Sequence, residues 1–159
     1  MKKWLFLCVA ALLAFGCQNK ECGCEPPPEA GDLQYFIFGT AYGECGGDCA
    51  RIFKLQGEQL FPDEGVEYLN YSSPEIPFQS NSLGADKVAL AKALLDKIPS
   101  DLLSQPTGPI GCPDCRDQGT AFVKVKVGQQ ELYWFIDPDE VKYKEFIQAI
   151  MHTVTEVLK

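Results

Sequence analysis

The sequence predicts an α+β fold, in which an antiparallel sheet of about five to six strands carries two helices packed on one face. Short runs rich in aromatic and β-branched residues lie before residue 72 and after residue 120, and each has the length of a strand. Two longer segments repeat apolar residues every three or four positions, which is the period of an amphipathic helix. Proline- and glycine-rich stretches separate these segments, and we predict a single α+β domain over residues 33–159.

The first part of this domain is predicted to be extended. A strand is expected at Leu33–Phe38, because the run is aromatic and β-branched, has a glycine on either side and is too short for a helix. A hairpin follows, with strands at Arg51–Leu55 and Leu60–Phe61, a four-residue loop between them and Pro62 at its end. The segment Val66–Tyr71 is predicted to be a further extended piece.

The period then changes, which predicts a helix that Pro99 brings to an end. The apolar stripe of this helix consists of Val88, Ala91, Leu94, Leu95 and Ile98. Residues 105–119 are rich in proline and glycine and show no period, so we predict a loop. A β-hairpin follows, with strands at Val123–Val127 and Leu132–Ile136 and a turn at residues 128–130.

The chain finishes with a second amphipathic helix, whose predicted buried face consists of Tyr143, Phe146, Ile147, Ile150, Val154, Val157 and Leu158. Asp137, Asp139 and Glu140 precede it, and we interpret them as N-terminal caps, because carboxylates there complement free backbone N–H groups. A catalytic or calcium-binding pair of carboxylates is the alternative. His152, the sole histidine, falls about 160° from the apolar face at about 100° per residue, which predicts an exposed imidazole.

The first residues of the chain form a charged start, an apolar run and a small-residue junction. Lys2 and Lys3 precede a run from Trp4 to Phe15, which is too short to cross a bilayer as a permanent helix and has the length of a signal-peptide core. The sequence Leu13-Ala14-Phe15-Gly16-Cys17 resembles the lipobox of bacterial lipoproteins. The alternative is an ordinary secretory signal in which Cys17 has no role, although no small-x-small cleavage site lies nearby.

The lipoprotein resemblance implies three parts. Residues 1–16 would be a signal peptide, removed before Cys17, and Cys17 would become an N-terminus carrying a thioether-linked diacylglycerol and an amide-linked acyl chain. Residues 17–32 would be the lipidated N-terminus and a tether, because three consecutive prolines favour extended geometry and no apolar face is present. Gln18 follows the cysteine where an aspartate would favour inner-membrane retention, so the expected location is the cell envelope, in the outer membrane.

Composition narrows the classes of partner. The 159 residues include 46% hydrophobic and 11% aromatic residues, which is ample for a core and excludes disorder for most of the chain. The formal net charge is -8, and such an acidic surface argues against nucleic acid and against a polybasic contact with anionic lipids. The expected partners are the membrane, through the N-terminal lipid, and a protein or small molecule that the sequence does not identify.

The sequence lacks the common catalytic patterns. One histidine cannot supply a multi-histidine metal site, and His152 is not expected to serve a serine or cysteine nucleophile. No glycine-rich phosphate loop, H-E-x-x-H or G-x-S-x-G motif is present. We therefore expect no cofactor, and a binding or structural function rather than an enzymatic one.

The cysteines are the remaining chemical groups. After Cys17 there are six, in three close pairs: Cys22 with Cys24, Cys45 with Cys49, and Cys112 with Cys115. An exported chain meets an oxidising environment, so structural disulfides are the main expectation, and the sequence does not fix their connectivity. Pro113 and Asp114 suit a type I turn, which would bring Cys112 and Cys115 close enough for a local disulfide. Crossed bridges between the Cys45/Cys49 and Cys112/Cys115 pairs remain an alternative.

Two further interpretations use the same residues. Cys45, Cys49, Cys112 and Cys115 could together form a four-thiolate zinc site, since C-x3-C and C-x2-C turns can close a tetrahedron of soft ligands. Alternatively, Cys112-Pro113-Asp114-Cys115 is similar to the C-P-x-C motif of thioredoxin-like proteins, which implies thiol–disulfide exchange. That family places the motif between a buried strand and a helix, whereas glycine and proline precede it here and a β-hairpin follows.

Overall fold

The computed structural model describes residues 33–159 except 44, 48, 68 and 73. The predicted signal peptide, Cys17 and the tether therefore lie outside the described residues. The strands are β1 (Leu33–Ala41), β2 (Ala50–Gln56), β3 (Gln59–Pro62), β4 (Gly108–Ile110), β5 (Thr120–Val127) and β6 (Gln130–Ile136). The helices are α1 (Ala85–Leu95) and α2 (Lys144–Val157), with short 3-10 turns at Leu102–Ser104 and Val141–Tyr143.

The six strands form one mixed sheet in the order β3-β2-β1-β5-β6-β4. Every neighbouring pair is antiparallel except β4 and β6, which are parallel. The α+β class is thus confirmed, and the expectation of a purely antiparallel sheet is wrong at one edge. The prediction of a loop over residues 105–119 is wrong only at β4, because the rest of that segment carries no helix or strand. β4 consists of a glycine, a proline and an isoleucine, and an edge strand tolerates a proline that a central strand would not.

Both helices pack on one face of this sheet. Alternate residues of β1 and β5, among them Phe36, Phe38 and Val125, point into a core shared with α1 and α2. The helical residues of this core include Val88, Ala91, Leu94, Phe146, Ile147, Ile150, Val154 and Val157. The apolar stripes predicted from the sequence are therefore confirmed, apart from their last residues. α1 ends at Leu95 and not at Pro99, so Ile98 lies beyond the helix, although it still packs against the core. Leu158 is 54% exposed just beyond the end of α2.

The opposite face of the sheet is also covered, and by irregular chain. Ile37, Ile52, Phe122 and Phe135 form a second core with residues from the 66–78 segment, including Val66, Leu69 and Tyr71. The segment Val66–Tyr71, predicted to be a further extended piece, does not join the sheet, because its described residues carry no strand. Their apolar side chains fill the face of the sheet, whereas their backbone does not join its ladder.

The hairpins are tighter than expected. β2 and β3 are joined by a two-residue turn at Gly57 and Glu58 instead of a four-residue loop, and Gln59 already pairs with Gln56. β5 and β6 are joined by Gly128 and Gln129, and Gln130 already pairs with Val127. Gly57 (φ 58°) and Gly128 (φ 57°) adopt the left-handed backbone that the favoured two-residue hairpin turns require.

Candidate functional site

The loops that carry the paired cysteines meet at one end of the sheet. Ala41 pairs with both Ala50 and Thr120, so the β1–β2 loop and the chain entering β5 lie side by side. Ile136 pairs with Ala121 and with Ile110, which brings residues 111–119 and 137–140 to the same end. We call loops 42–49, 111–119 and 137–140 the disulfide-loop end. Leu33, where the tether would enter, pairs with Val127 at the opposite end, the tether end.

The four cysteines of these loops form two local pairs at disulfide-bonding distance. The Cα atoms are 5.6 Å apart in Cys45–Cys49 and 5.6 Å apart in Cys112–Cys115, within the range that a disulfide requires. Among the residues that the structure describes, no group of three or more histidine, cysteine or acidic side chains could hold a metal ion. The arrangement is therefore the local pairing expected from turn geometry, and neither crossed bridges nor a four-thiolate cluster is present in it.

The turn that closes Cys112–Cys115 differs from the predicted type I turn. The Cys115 N–H donates to the Cys112 carbonyl at 3.3 Å, as in a β-turn, but Asp114 at the third position has φ 58°. A positive φ at that position is the mark of a type II turn, which favours glycine or asparagine there. Aspartate tolerates the left-handed region because its short polar side chain forms local hydrogen bonds.

The Asp114 carboxylate joins the two disulfide loops. One oxygen accepts the N–H of Gly43 in the β1–β2 loop, and the other accepts the N–H of Gly119 at 2.8 Å. The Asp114 N–H in turn donates to the Gly119 carbonyl at 3.0 Å. We call these contacts the Asp114 bridge. A Cβ atom at Gly43 would meet the Asp114 carboxylate, so only glycine allows this close approach.

Asp137 fixes the start of the Cys112 turn. Its carboxylate accepts the N–H of Asp139 at 2.9 Å and the N–H of Cys112 at 3.1 Å, and the Gln118 amide donates to it at 3.3 Å. These donors, with the Asp139 N–H the strongest, hold the pKa of Asp137 below its ordinary value, although the side chain is largely buried. The proposed capping of α2 is thus wrong for Asp137, which instead links β6 to the disulfide turn.

Glu140 does act as a cap, although of a shorter element. Its carboxylate accepts the N–H of Lys142 at 3.2 Å and so caps the 3-10 turn Val141–Tyr143 that leads into α2. The N-cap of α2 itself is Tyr143, without a side-chain hydrogen bond. Asp139 forms a 2.5 Å ion pair with Arg116 across the surface of the disulfide-loop end. The three acidic residues therefore serve three separate structural contacts.

The surface of this end combines apolar and charged groups. Tyr42 and Met151 are each 42% exposed and line a small crevice together with Gln118 and Pro138. The ring of Tyr42 packs on Gly119, where an added Cβ would lie 2.5 Å from a ring carbon. An exposed aromatic ring and an exposed thioether are the kinds of group that protein interfaces favour. His152 is exposed on α2, as predicted.

Sequence reasoning identified the cysteines but missed Asp114 as the centre of the arrangement. Its partner Gly43 lies 71 positions away in the sequence, and no short motif links the two. The only local signal was that Asp114 occupies a turn between two cysteines.

No model of a known protein family matches the chain, and no curated protein matches it either. Within the described part of the chain, no helix is long and apolar enough to cross a membrane. The functional conclusion therefore depends on the residues and contacts given above.

Proposed function

We propose that this protein is a lipid-anchored lipoprotein of the cell envelope, attached to the outer membrane through Cys17, whose domain is a non-enzymatic binding module. The binding surface is the disulfide-loop end. The observation that carries this proposal is the Asp114 bridge, because it joins two separately closed loops into one unit. The N-terminal residues supply the membrane attachment.

The Asp114 bridge favours binding because it reduces the conformational entropy that the loops lose when a partner binds. Loops are usually the mobile part of a domain, and a loop that must be fixed on binding lowers the affinity. Here, the paired cysteines of each loop are only four or three positions apart in the sequence, and Asp114 and Asp137 hold the loop backbones. Tyr42, which packs on Gly119 in these loops, is then displayed in one geometry beside Met151 of α2. The ligand would be a protein or small molecule of the envelope.

The orientation of the sheet fits this role. β1 begins at Leu33, directly after the tether, and ends at Ala41, just before the first disulfide loop. Nine strand residues span about 26 Å at about 3.3 Å per residue. The disulfide-loop end would thus face away from the membrane, at the far end of the domain from the point of attachment.

Lipidation is tested by mass spectrometry of the protein isolated from membranes. The expected N-terminal peptide begins at Cys17 and carries a diacylglyceryl group, and Cys17→Ser is expected to release the protein or stall its processing. A mature membrane-bound protein that begins at any other residue would rule out this anchor.

The binding surface is tested by placing a photoreactive amino acid at single positions in living cells. Gly46 suits this test, because it lies in the first disulfide loop and no atom lies within 4 Å of an added Cβ there. Gln129, exposed in the hairpin turn at the tether end, is the matched control. We expect discrete cross-linked products from position 46 and none from position 129. Equal cross-linking from the two positions would contradict the assignment of the surface.

A second candidate function is thiol–disulfide exchange at Cys112–Cys115, favoured by the exposure of both cysteines. Accessible disulfides are the ones open to attack by another thiolate. Cys115→Ser would leave Cys112 free to trap a mixed disulfide with a partner, visible on a non-reducing gel after acid quenching. Cys49→Ser, which leaves Cys45 free in the other exposed loop, is the control. Trapping that is specific to Cys112 supports thiol–disulfide exchange. If Cys112 traps no partner, this second function is rejected and the binding function is the one that stands.

A further inference from the structure

A pocket of about 440 Å³ opens at the tether end, opposite the disulfide loops. Its apolar lining comes from β1, α1, the chain after α1 and β5, and consists of Leu33, Leu95, Ile98, Leu103, Val125 and Val127. Val125 and Val127 belong to the main core and are 1% and 5% exposed, so the pocket reaches the core between the C-terminal end of α1 and the sheet. Its size is that of a small-molecule site, and its lining is mainly aliphatic.

The two polar residues of the lining determine which head group the pocket accepts. They are Asp96, which is exposed at the C-cap of α1, and Ser100. The C-terminus of a helix carries partial negative charge, and the Asp96 carboxylate adds to it. Lys97 does not line this pocket and instead borders a separate depression with Lys142. An anionic head group would therefore be repelled at the rim, whereas a neutral ester could accept a hydrogen bond from Ser100.

We propose that this pocket binds one aliphatic acyl chain of a lipid whose head group is uncharged, such as an acyl ester of glycerol. The choice of a lipid rests on the proposed function, because Leu33, at the pocket, directly follows the tether that would end in lipidated Cys17. The same acyl chemistry could come from a free membrane glyceride or from the glyceride on Cys17 of the same chain.

The test uses residues 18–159, which lack Cys17 and include every strand, every helix and both core clusters of the described part of the chain. Binding of radiolabelled monomyristoylglycerol is measured by equilibrium dialysis. Myristate, which has the same acyl chain length but an anionic head group, is the control ligand. We expect saturable one-to-one binding of the glyceride, about five-fold tighter than that of myristate. No saturable binding of the glyceride, or tighter binding of myristate, would overturn the proposal. Neither result bears on the anchor, which mass spectrometry tests separately.

Variants locate the site. Leu103→Trp fills the pocket from its partly buried wall and is expected to weaken glyceride binding by about ten-fold, whereas Leu158→Trp, at an exposed leucine outside the lining, should change it by less than about two-fold. Ile98→Glu, which places a charge in the lining, is the second variant if Leu103→Trp fails to fold. Glyceride binding unchanged by a folded pocket variant would place the site elsewhere and overturn the proposal.

The rim charge is tested separately. Asp96→Asn is expected to remove most of the preference for the glyceride over myristate, and Asp86→Asn at the other end of α1 is the matched control. A preference unchanged in Asp96→Asn would contradict the role of the rim. Repeating the dialysis with the lipidated chain distinguishes the two sources, because occupancy by its own acyl chain would exclude the labelled glyceride.

Discussion

The Asp114 bridge leads to a measurable loss of stability when the carboxylate is removed. Asp114→Ala deletes the acceptor of the Gly43 and Gly119 N–H groups and places alanine at φ 58°. Hydrogen bonds to charged groups contribute about 1.5–3 kcal/mol each, but Asp114 is only half-buried and water replaces part of the loss, so we take about 2 kcal/mol for the pair. The left-handed backbone adds about 1 kcal/mol for a residue with a Cβ and no polar side chain. The expected total is about 3 kcal/mol, or about 10 °C in Tm for a domain of this size.

Two further substitutions at Asp114 separate these contributions. Asp114→Gly removes the carboxylate but has no difficulty with a positive φ, so about 2 kcal/mol should be lost. Asp114→Asn keeps one side-chain oxygen and tolerates the left-handed region, and its loss should be smaller than that of the glycine variant. The difference between the alanine and glycine variants thus reports the cost of the left-handed backbone, reduced by the greater flexibility of glycine in the unfolded chain.

The assay is thermal and urea unfolding of residues 18–159, followed by circular dichroism, with amide exchange at Gly43 as the local measurement. Asp117 is the control, because it has φ 57° and is exposed in the same loop. Asp117→Ala should lower the stability only by the cost of placing alanine in a left-handed backbone, and amide exchange at Gly43 should stay as slow as in the wild type. A Tm of Asp114→Ala within about 2 °C of the wild type, or unchanged exchange at Gly43, would refute the reasoning.

The other predictions concern the cysteines, an aspartate and the tether. Non-reducing peptide mapping should recover Cys45–Cys49 and Cys112–Cys115 as local pairs, and a peptide that joins one pair to the other would contradict them. The folded-state pKa of Asp137 is lowered, so its contribution to stability is complete above about pH 4 and is lost as the pH falls through that folded-state pKa. Tm measured from neutral to acid pH should therefore fall less steeply in Asp137→Asn, and an unchanged slope would contradict this. Deleting residues 18–32 should lower the Tm by less than about 4 °C, and a larger loss would show that the segment is packed.

The periodicity of apolar residues was sufficient to predict an element where one side of that element is more deeply buried than the other. In the β5–β6 hairpin, Val123, Val125 and Val127 alternate with two lysines, and the structure buries the valines in the helix-side core as the period of two requires. The two helices were likewise predictable, because a single apolar stripe leaves one way to face the sheet. The turns proved shorter than expected, since the glutamines at their edges could equally belong to a loop or to a strand.

Nonlocal contacts account for what the sequence did not predict. β4 is formed by Gly108 and Pro109, two residues that normally indicate a break, and only its pairing with β6 makes it a strand. The Val66–Tyr71 segment has the composition of a strand, but its described residues supply side chains to the second core without joining the ladder. The Asp114 bridge joins loops far apart in the sequence, and no pattern within the four residues of the Cys112 turn indicates this contact.

The placement of β4 has a consequence for self-association. The Ile110 carbonyl accepts the Asp137 N–H at 3.0 Å and so faces β6, and the alternation of a strand then directs the backbone of Pro109 outward. Proline has no N–H, so the outer edge of β4 lacks, at Pro109, the backbone donor that a strand from a neighbouring molecule would need. The part of β6 that β4 leaves uncovered carries Glu131, ion-paired with Lys124 at 3.0 Å. A strand of a neighbouring molecule that approached this edge of the sheet would thus not find a template for a continuous intermolecular sheet.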